Sequence, residues 1–134
     1  MDADLRTRLT AAATAVRQHA HAPYSGFAVG AALADEHGRI HVGCNVENAA
    51  YPQGLCAEAV ALGALVAAGG RAIRAVALVA GQGRPATPCG GCRQKLREFA
   101  GDAVPVHCRS ADGAVLDTTM GALLPLSFGP EALA

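Results

Sequence analysis

Residues 71–80 read RAIRAVALVA, and the reading of this decapeptide decides the fold. From Ala75 to Ala80 every residue is apolar, and glycines stand on either side at 69–70 and 81. A short apolar run bounded in this way predicts a central strand buried on both faces. Downstream, the loop GQGRPATP (81–88) leads into CGGCRQKLREFA (89–100), a helix ended by Gly101, and then the strand VPVHCR (104–109). A strand, a helix and a strand in that order predict a right-handed parallel crossover. The next strand, AVLD (114–117), follows after only SADG, too short for a crossover, so this pair is expected to be antiparallel.

Upstream of the decapeptide, CAEAVALGALVAAGG (56–70) reads as a strong helix closed by paired glycines. Before it lies an irregular stretch, NVENAAYPQGL (45–55), and before that a hairpin: FAVGAALA (27–34), the turn DEHGR (35–39) and IHVGCN (40–45). Leu5, Leu9, Ala12, Ala13 and Val16 recur at helical spacing and predict a first, purely packing helix over about 4–19. After the last strand come a short helix and then LLPLSFGP (123–130). The order αββαβαββα has no repeat and no linker. We therefore expect one domain over 1–134, of α/β class, with a mixed five-stranded sheet and helices on both faces.

Half the residues are hydrophobic (51%) and 16% are charged, which excludes disorder. Eleven basic residues balance eleven acidic ones, and no basic stripe of the kind that tracks a phosphate backbone is visible. The balance points to a small uncharged ligand, not to nucleic acid. MDADLRTRLT carries no secretory or transit pattern, and no apolar run reaches membrane-spanning length, so a cytoplasmic protein is expected. Five cysteines without a signal are expected to stay reduced.

Three of those cysteines stand at helix starts: Cys56 at one, Cys89 and Cys92 at another. Helix N-termini offer unpaired N–H groups and partial positive charge, which stabilise thiolates. If the two starts face each other, three thiolates converge on a zinc site with a fourth, open position for water, the pattern of a catalytic centre. Glu58, in the first turn beside Cys56, could reach that position and carry protons there; its plainer reading is a glutamate that complements the helix dipole. Two rivals remain at this point. PCGGC could be a dithiol redox pair, which leaves Cys56 and Glu58 unexplained. It could also belong to a closed four-cysteine zinc site completed by Cys44 or Cys108, although strand cysteines are most simply buried small hydrophobes.

CAE (56–58) followed by PCGGCRQ (88–94) closely resembles the zinc signature of the cytidine deaminase family, and PYSGFAVGAAL (23–33), GCNVENAAYPQGLCAE (43–58) and LLPLSF (123–128) resemble its small homotetrameric type. The likeness covers nearly the whole chain. It implies a three-layer α/β/α sandwich, one zinc per chain on Cys56, Cys89 and Cys92, and hydrolytic deamination of free cytidine and deoxycytidine to uridine and deoxyuridine in pyrimidine salvage. By the general scheme of zinc deaminases, Glu58 would move a proton from the zinc-bound water to N3, the hydroxide would attack C4, and Glu58 would then protonate the departing ammonia. The resemblance further implies that Asn45 and Glu47 hold the sugar 3′-hydroxyl, that Phe27 packs on the pyrimidine, and that Ala57 lines the substrate. A carboxylate at the 3′-hydroxyl would repel a phosphodiester there. Tyr51 and Phe128 would enter a neighbouring subunit's active site.

One position departs from the family. Many members read CAER, whereas this chain has Ala59, and Arg93 is expected to take over part of the charge balance. CAEAVAL also resembles blasticidin-type deaminases, so an aminated nucleoside antibiotic is the alternative substrate.

Overall fold

The computed structural model describes residues 1–134. In chain order its elements are α1 (Ala3–Arg17), β1 (Gly30–Asp35), β2 (Ile40–Cys44), a 3-10 turn (Tyr51–Gln53), α2 (Ala57–Ala67), β3 (Ile73–Val79), α3 (Gly90–Arg97), β4 (Pro105–Arg109), β5 (Val115–Thr119), α4 (Met120–Leu123) and a final 3-10 turn (Pro130–Leu133). The five strands make one sheet in the order β2-β1-β3-β4-β5, with β3 at its centre. β3 and β4 run parallel, with Leu78 opposite Cys108, and α3 makes the crossover. β4 and β5 are antiparallel, with His107 opposite Asp117. Both relations follow the expectation from connection length. β1 is antiparallel to both β2 and β3.

Alternate residues of the strands feed two cores. Ala31, Leu33, Val76, Leu78, Val106 and Cys108 face α2 and α3, where Ala57, Ala61, Leu65 and Leu96 meet them. Ala32, Ala34, Ala75, Ala77 and Val79 face α1 and receive Leu9 and Ala13. Helices therefore cover both faces, giving the expected α/β/α layers. Burying one of these leucines fully stabilises the fold by about 1.5–3 kcal/mol.

Helix α2 meets the sheet without an intervening side chain. A Cβ on Gly43 of β2 would collide with the Ala57 carbonyl and the Ala61 nitrogen, so the helix backbone rests on the strand backbone there. The β1–β2 turn is locked by Asp35, which is fully buried. Its carboxylate accepts the His37 and Arg39 backbone N–H groups (2.8 and 3.0 Å), Arg39 Nε (2.8 Å) and a contact from His41 Nε2 (2.8 Å). Burial alone would raise this pKa, but the bonds from His41, Arg39 and His37 hold the carboxyl well below the usual range.

Several boundaries differ from the sequence reading, among them those of α1 and β1. α1 ends at Arg17. β1 starts at Gly30 and not at Phe27, because past Cys44 a side chain takes over from strand pairing: Asn45 Oδ1 accepts the Val29 N–H (2.9 Å) and Asn45 Nδ2 donates to the Phe27 carbonyl (2.8 Å). No helix is long and apolar enough to cross a membrane.

Candidate active site

The N-cap residues of α2 and α3 are Cys56 and Cys89, both extended, and neither side chain caps its helix. Cys92 follows in the first turn of α3 and is fully buried. The three Sγ atoms lie within 4.8 Å of one another, with Cys56 and Cys89 4.0 Å apart. Tetrahedral zinc with Zn–S bonds near 2.3 Å needs S···S separations of about 3.8 Å, so the donor set fits that ion. Cys44 is half-buried and Cys108 buried, and both lie outside the cluster, so the four-cysteine alternative lacks its fourth thiol.

The surroundings of the three thiols are unequal. Burial pushes Cys56 and, much further, Cys92 above the usual thiol range. Cys89 lies lower, chiefly because the nearby Cys92 backbone N–H favours its thiolate without closing a capping bond. A divalent cation would offset the penalty on Cys56 and Cys92, since it demands all three as thiolates. Glu58 lies beside them in the first turn of α2, 5% exposed. Desolvation raises its pKa and outweighs the opposing effects of its own backbone N–H, the Cys92 thiol and the Lys95 charge. A buried carboxyl with a raised pKa is a stronger base than a solvated one.

A cavity of about 300 Å³ opens beside this group and is lined by Cys56, Cys89, Ala57 and Glu58 together with Phe27, Asn45 and Glu47. The volume lies in the range of small-molecule sites. Phe27 is 45% exposed and sits on the cavity wall, not in the core. Asn45 braces the backbone on either side of it, through its bonds to Phe27 and Val29. Glu47 is gripped by the same loop: Oε1 accepts the Tyr24 and Ser25 N–H groups (2.9 and 3.1 Å), and Oε2 accepts a short bond from Ser25 Oγ. The Ser25 bond, ahead of burial's opposing effect, lowers the Glu47 pKa and keeps it a carboxylate. Ser25 Oγ in turn accepts the Phe27 N–H (2.9 Å). Ser25 lines the cavity and was missed from sequence; a hydroxyl two residues before an exposed aromatic, in a turn rich in backbone donors, was the available signal.

Tyr51 does not line this cavity. It is 76% exposed, meets Tyr24 edge-on at 5.8 Å, and lines a neighbouring cavity of about 380 Å³ that shares Ser25 and Glu47 with the first. Phe128 is exposed on the C-terminal segment, away from the thiols of its own chain. Arg93 does not hydrogen-bond the cysteines. Its guanidinium donates to the carbonyls of Pro88 (2.7 Å) and Leu123 (2.8 Å) and to Thr87 Oγ1 (2.9 Å).

Residues 4–108 match the cytidine and deoxycytidylate deaminase zinc-binding region. A cytidine deaminase from Sporosarcina psychrophila is 43% identical over 126 residues, spanning 94% of this chain and 93% of that protein. One from Mycobacterium tuberculosis is 43% identical over 121 residues, 90% of this chain and 87% of its own length. The crystal structure of cytidine deaminase from Burkholderia pseudomallei superposes with a TM-score of 0.87 at 42% identity, covering 96% of this chain and all of that one.

Proposed function

The chain belongs to the cytidine and deoxycytidylate deaminase family, and from that premise we propose that it hydrolyses free cytidine and deoxycytidine to uridine and deoxyuridine, releasing ammonia. The observation that carries the reading is the buried Glu58 carboxyl beside three convergent thiols, two of which, Cys56 and Cys89, line the same cavity as Glu58 and Glu47. Cys56, Cys89 and Cys92 would hold one zinc ion, which would supply Lewis-acid chemistry to the attacking water.

The remaining steps belong to the side chains. Glu58 takes a proton from the attacking water and passes it to N3 of the ring, and the water oxygen adds to C4. Glu58 takes the second proton and delivers it to the exocyclic amine, and ammonia departs as the C4 carbonyl forms. Phe27 packs on the pyrimidine face, and Ala57 closes the floor beneath it. Asn45 and Glu47 take the 3′-hydroxyl. Glu47, held as a carboxylate by Ser25, repels a 3′-phosphate and so restricts the site to free nucleosides.

Tyr51 and Phe128 complete the site of a neighbouring chain in a homotetramer; their exposure on this chain supports that reading. Pyrimidine salvage in the cytoplasm is the role that fits this proposed activity. Ala59 favours one second reading, a blasticidin-type substrate, because the larger basic residue of CAER is missing beside the ligands.

The test is cytidine turnover with zinc measured per chain, in native protein and in Glu58→Gln. About one zinc in both, with kcat lowered about 10²–10⁴-fold in the variant, is expected. Zinc with no turnover of cytidine or deoxycytidine sends the assignment to the antibiotic nucleosides, and native protein without zinc sinks the metal reading.

A further inference from the structure

Helix α3 holds two proposed metal ligands at its start and the C-terminal segment along its flank. Arg93 sits where the two meet. Its half-buried guanidinium grips Thr87 and Pro88, the residues just before Cys89, and with its third bond grips the Leu123 carbonyl, 30 positions further along the chain. The next residues extend the grip. Gln94 Nε2 donates to the Phe128 carbonyl (3.0 Å), and Arg97 Nε donates to Ser127 Oγ (2.8 Å) while its guanidinium pairs with Glu131.

Between these pins Leu126 adopts φ +53 with its side chain fully exposed. A leucine holds that left-handed conformation only where its surroundings fix it. Arg93 itself makes no ion pair with a carboxylate, and its three acceptors are neutral. Three thiolates around a divalent cation carry a net charge of about −1. Filling the metal site therefore adds negative charge at Cys92, the neighbour of Arg93 in the chain, and at Cys89, next to the Pro88 carbonyl that Arg93 grips.

We propose that Arg93 is a positioning residue that couples the metal centre to the C-terminal segment, so that metal loading at Cys56, Cys89 and Cys92 and the ordering of residues 123–128 strengthen each other. The proposal rests on the three-cysteine metal reading above. Because coupling is reciprocal, whatever loosens the segment weakens the metal by the same factor.

The experiment follows amide hydrogen exchange of residues 123–128 in the full chain, zinc-loaded and after chelation, with α1 as the internal control. Zinc affinity is measured separately by competition with a chromophoric chelator. In native protein, chelation is expected to speed exchange in 123–128 about tenfold while α1 is unchanged, within the usual range of such couplings. Arg93→Gln should exchange quickly there even with excess zinc, and its zinc affinity should fall about tenfold. Gln94→Ala loosens the segment without touching Thr87 or Pro88, and it should still lower zinc affinity. Sedimentation is recorded alongside, since loss of a partner chain would expose the segment without Arg93; in that case Arg93→Gln would bind zinc as the native protein does, which overturns the proposal. Zinc-loaded native protein whose segment is indifferent to chelation also overturns it. Native protein that binds no zinc overturns the metal reading first, and the coupling with it.

Discussion

At the start of α1 the Asp2 carboxylate accepts the Leu5 N–H at 2.7 Å, while the same position of α2 and of α3 holds a cysteine that caps nothing. The first arrangement satisfies a helix end in the ordinary way. The second leaves N–H groups open on the sheet face where Glu58 and the cavity lie. Local stability rules are kept on the α1 face and relaxed on the other, where unsatisfied donors stabilise thiolates. Four substitutions probe this difference.

The largest effect is expected from Cys89→Ser, which exchanges a thiolate for a good capping hydroxyl. Zinc affinity should fall at least about 100-fold in chelator competition. Metal-free protein should instead melt a few degrees higher, since a cap contributes about 0.5–2 kcal/mol. A metal-free variant less stable than the native chain would show that Cys89 displaces no cap.

Asn45→Ala comes next. It strips partners from the Phe27 carbonyl and the part-buried Val29 N–H, at about 1–3 kcal/mol of stability. Because the freed backbone carries Phe27, KM for cytidine should rise more than kcat falls. Thermal melts and steady-state kinetics separate the two effects.

Asp35→Asn tests the hairpin lock through pH. The folded pKa is depressed, so this group's stabilisation is present above its unfolded value of 3.8 and is lost as pH falls toward the folded value. The gap in melting temperature between native and variant should be widest above about pH 5 and close as the pH falls below about 3. A gap that widens on acidification would contradict the depressed carboxyl.

The smallest change is Asp2→Ala, expected to cost about 1 kcal/mol in denaturant unfolding and to leave zinc affinity and kcat/KM untouched. If it altered turnover, the two faces would not be as separate as their caps suggest.

Much of this was legible in the sequence where a local rule has few solutions. The turn at 110–113 permits only an antiparallel β4–β5 pair, and an apolar strand flanked by glycines belongs at the sheet centre. Cys56, Cys89 and Cys92 could be placed because each stands at a helix start. What stayed hidden depends on side chains that replace backbone partners. Asn45 substitutes for a strand neighbour and keeps Phe27 out of β1, and Ser25 orients a carboxylate 22 residues away. The true partners of Arg93 include a carbonyl at 123, and no spacing pattern announces a contact over such a separation.

Gly43 has a consequence beyond packing. With no side chain between β2 and α2, the sheet acts as a datum surface against which Cys56, Ala57 and Glu58 are seated together. A methyl group at position 43 would work like a shim, lifting the Cys56 thiol and the Glu58 carboxyl as one body relative to Cys89 and Cys92. The convergence of the three thiols and the reach of the Glu58 carboxyl would then be lost together, with Phe27 and Glu47 still in place.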